Sequence, residues 1–101
     1  MTTLTPAEDC QTMMALRAEI DSLDRQLVAM LAKRATYIDR AIELKRSDGL
    51  PARIPVRVEA VVNNARGAAV AAGLDPDLVE HLWRELIDWS IAREAREIDL
   101  G

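Results

Sequence analysis

The stretch that decides the fold covers residues 9–47, DCQTMMALRAEIDSLDRQLVAMLAKRATYIDRAIELKRS. It contains neither glycine nor proline, and its apolar side chains recur at the three- and four-residue spacing of one helix face. These side chains are Leu16, Ile20, Leu23, Leu27, Met30, Tyr37, Ala41 and Leu44. We predict one very long helix that begins near Thr5-Pro6-Ala7-Glu8, with Thr5 as its cap, and ends at Ser47-Asp48-Gly49-Leu50-Pro51.

This helix is too long for a compact domain made from one chain of 101 residues. At about 1.5 Å per residue it would span roughly 57 Å, whereas a compact domain of this size has a radius of gyration of about 13 Å. The remaining half of one chain cannot cover its apolar stripe. A second copy laid along the stripe would cover it, and a two-fold pair is the commonest arrangement. We therefore expect a homodimer.

Two shorter helices follow the long one. The linker 49–54 leads to Pro55, which suits the first position of a second helix, and Gly73 ends that helix. Asp75-Pro76 then caps and opens a third helix, which we expect to run to about Ile98. The small side chains of the second helix predict close packing. No internal repeat or second domain is visible, so residues 1–101 form a single helical domain.

Composition places the protein in the all-α class and excludes several functions. Half of the residues are hydrophobic, phenylalanine is absent, and only 3% are aromatic, which is typical of packed helices rather than sheets. The formal net charge of −4, with both signs mixed along the chain, argues against nucleic-acid binding. A single cysteine, no signal-peptide pattern and no run of about 18 apolar residues indicate a cytoplasmic protein that is not inserted in a membrane.

Four polar residues lie on helix stripes that should be apolar. Arg34 continues the stripe of the first helix, and Lys45 lies eleven residues later on nearly the same side. Ser90 and Glu94 lie one turn apart on the buried stripe of the third helix. Two cations about 16 Å apart at their roots can lean together and bind a small anion. The alternative is that each cation snorkels to solvent or forms an ion pair, with Glu94 neutralising Arg34 or Lys45.

Arg17 adds a geometric argument for a site shared by two chains. It precedes Arg34 by seventeen residues, about 25 Å along a straight helix, which is too far to reach the same small ligand within one chain. An antiparallel partner helix would bring it back, so each pocket would take Arg17 from the other protomer. Alternatively, Arg17 simply pairs with Asp21, one turn further on.

The remaining candidate residues do not form a site of their own. His81 is the only histidine and has no neighbouring metal-ligand set, so we expect no bound metal. Cys10 has no histidine near it in the sequence and is interpreted as a structural or surface thiol rather than a nucleophile.

The chain resembles the small all-helical chorismate mutases and the related isochorismate-pyruvate lyase. The resemblance covers nearly the whole chain, from Glu8-Asp9-Cys10 to the end of the third helix. It is carried by Leu16-Arg17, Ile20-Asp21, Leu23-Asp24, Arg34, Lys45, Arg57, Gly73-Leu74-Asp75 and the stretch from Ser90 to Glu94. It implies an intertwined dimer of three-helix chains with two buried pockets, a small dianionic substrate, chorismate or isochorismate, and no cofactor.

The resemblance also implies a role for each site residue. Arg17 of the partner chain and Arg34 would bind substrate carboxylates, and Lys45 would bind the ether oxygen and a carboxylate. Arg57 would add positive charge, and Ser90 matches a serine of the pocket. Glu94 stands where the family usually has a glutamine that donates a hydrogen bond to the ether oxygen. The rearrangement is pericyclic, so the pocket acts by holding a compact conformer and stabilising negative charge on that oxygen.

Two departures from the mutase pattern leave the reaction open. Ile54 and Val58 stand where the mutases have acids, and Glu59 is one residue away. The lyase lacks those acids too, and the opening Glu8-Asp9-Cys10 and the proline-containing loop look more like the lyase. Ser90 and the greater frequency of mutases in the family favour chorismate mutase, with the lyase, or both activities together, as the alternative. A non-enzymatic alternative is a dimeric helical interaction module whose charges only set register.

Overall fold

The computed structural model describes residues 4–101, which form three α-helices and no strand. Helix α1 is Met13–Asp48, α2 is Pro55–Ala72 and α3 is Pro76–Glu94, and a short 3-10 turn, Ala7–Asp9, precedes them. The predicted all-α class with one very long helix is therefore confirmed. By its internal contacts the chain divides after Thr36 into two compact units. None of the three helices combines the length and apolarity needed to cross a bilayer.

The first unit shows that the predicted start of the long helix was wrong. Residues 7–9 form the separate 3-10 turn, and α1 begins only at Met13. The hydroxyl of Thr12 accepts a hydrogen bond from the Ala15 N–H at 3.1 Å, so Thr12 satisfies an N–H that the helix itself leaves open. The Thr5 N–H donates to Glu19 instead, at 3.2 Å. The local capping signal at Thr5 was outcompeted by the one nearer the first apolar turn.

The ends of α1 and α2 follow the sequence signals. Gly49 takes a φ of 71° just after α1, and the Leu50 N–H donates to the Lys45 carbonyl at 2.8 Å. Gly73 takes a φ of 75° after α2 and closes that helix in the same way. Both glycines adopt the left-handed conformation that other residues disfavour, which is why each helix stops there.

Helix α3 begins as predicted but ends four residues early. The Asp75 carboxylate accepts a hydrogen bond from the Asp77 N–H at 2.9 Å and so caps the helix. At the other end, the Glu97 and Ile98 N–H groups both donate to the Glu94 carbonyl at 3.0 Å, and the chain turns instead of continuing. Glu94 is therefore the last helical residue.

The core of the second unit lies between α2 and α3. One buried cluster contains Ala52, Val62, Ile87 and Ile91, and a second contains Ala65, Ala69 and Val79, with Trp83 packed against both. The buried alanines of α2 let the two helices approach closely, as the small side chains predicted. Ala68 and Ala72 of the same helix are small as well, but they are exposed.

Helix α1 keeps most of its apolar side chains exposed. Ile42 is its only buried residue within the described chain. In the first unit Leu27 is 60% exposed and Met30 is 64% exposed, and in the second unit Tyr37 is 66% exposed. Most of the large apolar side chains of the stripe that defines α1 are therefore exposed in a single chain.

We expect Ile87→Ala to lower the free energy of unfolding by about 2–5 kcal/mol, because Ile87 is 6% exposed in the core and its truncation leaves a cavity. Urea unfolding followed by circular dichroism measures this. The matched control is Val70→Ala, at a side chain that is 66% exposed, which should change stability by less than about 0.5 kcal/mol. Equal effects of the two variants would contradict the assigned core.

Candidate functional site

The second unit brings Lys45 and Glu94 together at the ends of two helices. Lys45 lies in the last turn of α1 and Glu94 ends α3. Their Nζ and Oε1 atoms are 2.6 Å apart, an ion-pair distance, although the angles are not those of a hydrogen bond. Lys45 Nζ also donates a hydrogen bond to the Ala52 carbonyl at 2.8 Å. A cation from α1 thus contacts an acid from α3 and a backbone carbonyl from the α1–α2 loop.

This ion pair is largely withdrawn from water. The side chain of Glu94 is 5% exposed and that of Lys45 is 20% exposed. A buried carboxylate is costly unless a cation or hydrogen-bond donors compensate it, and Glu94 Oε1 accepts no hydrogen bond within residues 4–101. The ammonium of Lys45 therefore provides the compensation at that oxygen. The sequence left open that Glu94 neutralises Arg34 or Lys45, and the structure shows the ion pair with Lys45.

Ser90 lies one turn before Glu94 on the same buried side of α3. Its side chain is 4% exposed, and its hydroxyl donates to the Leu86 carbonyl at 2.9 Å. The prediction that Ser90 and Glu94 share a buried stripe is confirmed. A serine that bonds back to the preceding turn is held in one rotamer, so its oxygen has a defined position beside the acid.

Two further ion pairs flank the Lys45–Glu94 pair. Arg93 donates to both carboxylate oxygens of Asp39, at 2.6 and 3.1 Å, and these hydrogen bonds lower the pKa of Asp39 and raise that of Arg93. Arg46 reaches the carboxylate and the carbonyl of Glu97 at 3.3 Å. Arg93 and Glu97, which flank Glu94 in the sequence, are therefore engaged with Asp39 and Arg46 of α1, while Lys45 of α1 pairs with Glu94 itself.

Sequence reasoning missed two contributors to this arrangement. Asp39 carried no signal, because an acid on an exposed helix is usually a solvated residue. Ala52 contributes only its backbone carbonyl. It is 2% exposed, and this burial is what distinguishes it from an ordinary surface alanine in a loop. A backbone acceptor leaves no trace in side-chain chemistry, so the Lys45–Ala52 contact is visible only in three dimensions.

The two positions at which the mutases have acids, Ile54 and Val58, lie at the start of α2. Val58 packs against the core cluster and Ile54 is partly buried. Glu59 is exposed and accepts two hydrogen bonds from Arg84, each at 3.1 Å, which lower the pKa of Glu59. Glu59 therefore serves a surface ion pair and does not replace the missing acid. Arg57 is exposed on the same helix.

The other predicted site residues lie in the first unit, where Arg17 is exposed and Arg34 is partly buried. No ion pair joins Arg17 to Asp21 in the described part of the chain, so the simple pairing weighed for Arg17 is not formed. His81 is exposed on α3, and the Cys10 thiol lies 3.7 Å from the Pro6 carbonyl. Across residues 4–101 no three His, Cys, Asp or Glu side chains cluster as a metal site would require.

An open cleft of about 790 Å³ adjoins the outer side of this region. It is lined by the Lys45–Arg46 end of α1, residues 49–51 of the loop and residues 97–101. Neither Ser90 nor Glu94 lines it. The cleft therefore does not coincide with the buried stripe on which the predicted substrate groups lie.

We expect Lys45→Met to lower the free energy of unfolding by about 3 kcal/mol, because it leaves the buried Glu94 carboxylate without its cation. Lys45→Met combined with Glu94→Leu should recover most of that loss, since no charge then remains uncompensated. Urea unfolding at neutral pH measures both variants. A single variant as stable as wild type would show that the pair is dispensable to the fold.

Comparison with known proteins places the chain in a family. The chorismate mutase type II family model matches residues 16–95. The T-protein of Haemophilus influenzae is 39% identical over 79 residues, covering 78% of this chain and 21% of the T-protein. The T-protein of Enterobacter agglomerans is 38% identical over 80 residues, with 79% and 21% covered. This chain therefore spans about a fifth of the T-proteins that it matches.

A third relative is similar over almost its full length. The isochorismate pyruvate lyase of Pseudomonas aeruginosa is 34% identical over 90 residues, which cover 88% of this chain and 87% of the lyase. The region matched by the family model begins in α1 and ends just after α3, so it contains the Lys45–Glu94 pair, most of α1 and all of α2 and α3. The chain belongs to the chorismate mutase type II family.

Proposed function

We propose that this chain is a chorismate mutase, an enzyme that rearranges chorismate to prephenate without a cofactor. The observation that carries the proposal is the buried Lys45 ammonium, held between Glu94 and the Ala52 carbonyl inside the region that matches the family. A cation fixed in a largely dry environment is what a reaction that develops negative charge requires. No nucleophile or base is needed for such a rearrangement.

Lys45 would act on the ether oxygen of the substrate. The breaking carbon–oxygen bond leaves negative charge on that oxygen in the transition state. A carbon–carbon bond forms in the same pericyclic step, so no proton has to move. An ammonium has three N–H donors, and the contact to Ala52 uses one of them. Because the carbonyl and Glu94 already hold the ammonium, little reorganisation is needed as the charge develops.

The arginines would bind and orient the substrate. By resemblance to the family, Arg34 takes one carboxylate and Arg17 of the partner chain takes the other, with Arg57 adding positive charge. The exposure of Arg17 supports a role outside its own chain. Holding both carboxylates favours the compact conformer in which the reacting carbons approach each other.

The homodimer is part of the same proposal. Its support is the apolar stripe of α1, which is exposed along Leu23, Leu27 and Met30 in the single chain. A second copy is the occupant that suits a long helical stripe with no apolar partner of its own. We also place the enzyme in the cytoplasm, because its one cysteine provides no disulfide framework of the kind found in secreted proteins.

Glu94 gives the site a dependence on pH. Only the protonated carboxyl can donate a hydrogen bond to the ether oxygen, and the ionised form would repel the charge that develops there. The charged group that faces Glu94 is Lys45, while its neighbours Arg93 and Glu97 face Asp39 and Arg46. The proposed activity is therefore higher in acid.

Isochorismate-pyruvate lyase is the second candidate, and a specific observation favours it. The relative of that name is matched over 87% of its own length, compared with 21% for each of the two T-proteins. The apolar Val58 and the engagement of Glu59 by Arg84 also leave no acid at the positions where the mutases have them. Salicylate and pyruvate would be the products, and both activities in one protein would unite the two candidates.

Side-by-side turnover of the two substrates tests the proposal. Purified protein is incubated with chorismate and with isochorismate, and prephenate, salicylate and pyruvate are quantified by chromatography. Prephenate formed faster from chorismate than salicylate from isochorismate supports the mutase. The reverse ratio supports the lyase. If the protein turns over neither substrate, the non-enzymatic alternative of a helical interaction module is supported instead.

Subunit complementation tests the shared pocket. Arg17→Ala and Lys45→Ala are each expected to lose on the order of 10²- to 10³-fold in kcat, as removal of one transition-state donor does. When the two inactive variants are unfolded together and refolded in equal amounts, mixed dimers contain one pocket with both residues intact. Roughly a quarter of wild-type activity should return, by the statistics of two-fold pairing. No recovery would place Arg17 in its own chain's pocket or outside any pocket.

The role of Glu94 is tested by Glu94→Gln. The amide donates a hydrogen bond at any pH, so this variant should retain activity at neutral pH and lose the rise in kcat/KM that we expect for wild type in acid. Pre-steady-state or initial-rate profiles from about pH 4.5 to 8 measure the difference. If both proteins give the same profile, Glu94 does not donate to the ether oxygen.

A further inference from the structure

The segment Asp99–Gly101, which follows the turn after α3, makes contacts that the proposed function does not use. Its carbonyls accept two consecutive hydrogen bonds from the α1–α2 loop: the Ala52 N–H donates to Asp99 and the Arg53 N–H donates to Leu100, each at 2.7 Å. The Asp99 and Leu100 side chains are exposed. The segment is therefore held by its backbone and not by burial.

The same segment approaches the loop closely at Gly101. Gly101 has a φ of 129°, and a Cβ at this position would lie 2.9 Å from the Arg53 carbonyl oxygen. A side chain would thus meet loop backbone, which has little room to move. Residues 52–53 are therefore held against the segment by two hydrogen bonds and by the close contact between Gly101 and the Arg53 carbonyl.

The fastened loop carries one of the two groups that hold Lys45. Ala52 donates its N–H to the segment and accepts from the Lys45 ammonium with its carbonyl. The other group, Glu94, is joined to the segment through the turn in which the Ile98 N–H donates to the Glu94 carbonyl. The Ala52 contact of the ammonium is therefore joined directly to the segment, and Glu94 is connected to it through the turn.

A simpler explanation is that the segment only satisfies buried backbone groups. That explanation suffices for Ala52, which is 2% exposed and cannot donate to water. At Arg53, whose side chain is exposed, the hydrogen bond to Leu100 extends the same pairing by one residue. The two consecutive hydrogen bonds hold the loop at two adjacent residues, which one buried N–H alone would not require.

We propose that the segment Asp99–Gly101 is a positioning element that holds the Ala52 carbonyl and thereby places the Lys45 ammonium for catalysis. A lysine side chain has four rotatable bonds and loses about 2 kcal/mol of rotamer freedom when it is held in one geometry. Fixing its acceptor in advance removes part of that loss from the catalytic step. The catalytic part of this inference rests on the proposed function.

The test is Arg53→Pro, which removes the N–H that donates to Leu100. Arg53→Ala is the matched reference, because it loses the same side chain, including its contact with Asp88, but keeps the N–H. The activity readout is kcat/KM with chorismate. We expect Arg53→Pro to fall on the order of tenfold to a hundredfold below Arg53→Ala, as a small misplacement of a reacting group does.

A second readout is independent of activity. The chain has two lysines, Lys33 and Lys45, so ¹³C-labelled lysine gives two sets of side-chain signals, and the exposed Lys33 is an internal reference. A held Lys45 has two inequivalent ε-methylene protons. In Arg53→Pro these signals should converge towards those of Lys33, and in Arg53→Ala they should stay separate.

A double-mutant comparison separates positioning from a general structural effect. In a Lys45→Gln background, Arg53→Pro should cause no further loss of kcat/KM, because the segment acts through Lys45. Multiplied losses would overturn the proposal, and so would unchanged Lys45 signals or an unchanged rate in Arg53→Pro. If Arg53→Pro does not fold, removal of residues 99–101 tests the same contacts. If wild type turns over no chorismate, the proposed function fails, while the lysine signals still decide whether the segment orders Lys45.

Discussion

The arrangement of the second unit depends on an ion pair that has been withdrawn from water. Removing two charged groups from solvent costs several kcal/mol for each ion, and their attraction offsets this cost only if they meet closely. Lys45 and Glu94 do so at 2.6 Å, with the Ala52 carbonyl taking a further N–H of the ammonium. Apolar side chains of similar volume would serve the fold as well. The presence of charges at this point is therefore better explained by the site than by stability.

The two ion pairs that flank Lys45–Glu94 are more exposed than it is. Asp39–Arg93 and Arg46–Glu97 are about half exposed, so solvent and salt screen them and each contributes little by itself. They engage Arg93 and Glu97, which flank Glu94 in the sequence, with Asp39 and Arg46 of α1. These contacts of α1 are made by long polar side chains, whereas α2 meets α3 through buried alanine, valine and isoleucine.

The polar character of these contacts is consistent with the large exposed apolar surface of α1. Within α1 only Ile42 is buried, and most of the large apolar side chains of the stripe are exposed. Burial of apolar surface is the main favourable term in association, so the exposed stripe favours a second chain as its cover. In the proposed dimer, the exposed Arg17 would serve the pocket of the partner chain. Assembly and site would then both follow from one long helix.

The sequence by itself determined the helices and the polar residues on their buried faces. Helix ends at Gly49, Pro55 and Gly73 could be predicted because they depend on backbone preferences of single residues. The buried positions of Ser90 and Glu94 followed from helical periodicity, which is also local. The start of α1 was missed because two capping signals competed within a few residues.

Only the tertiary structure decided which groups meet. That Glu94 pairs with Lys45, that Ala52 offers its carbonyl to the same ammonium and that Asp39 engages Arg93 all depend on how the helices and the loop are placed. The early end of α3 belongs here too, because the chain turns at Glu94 to bring its last residues to the loop. These contacts join residues far apart in the sequence, several through backbone atoms, and neither periodicity nor residue type encodes them.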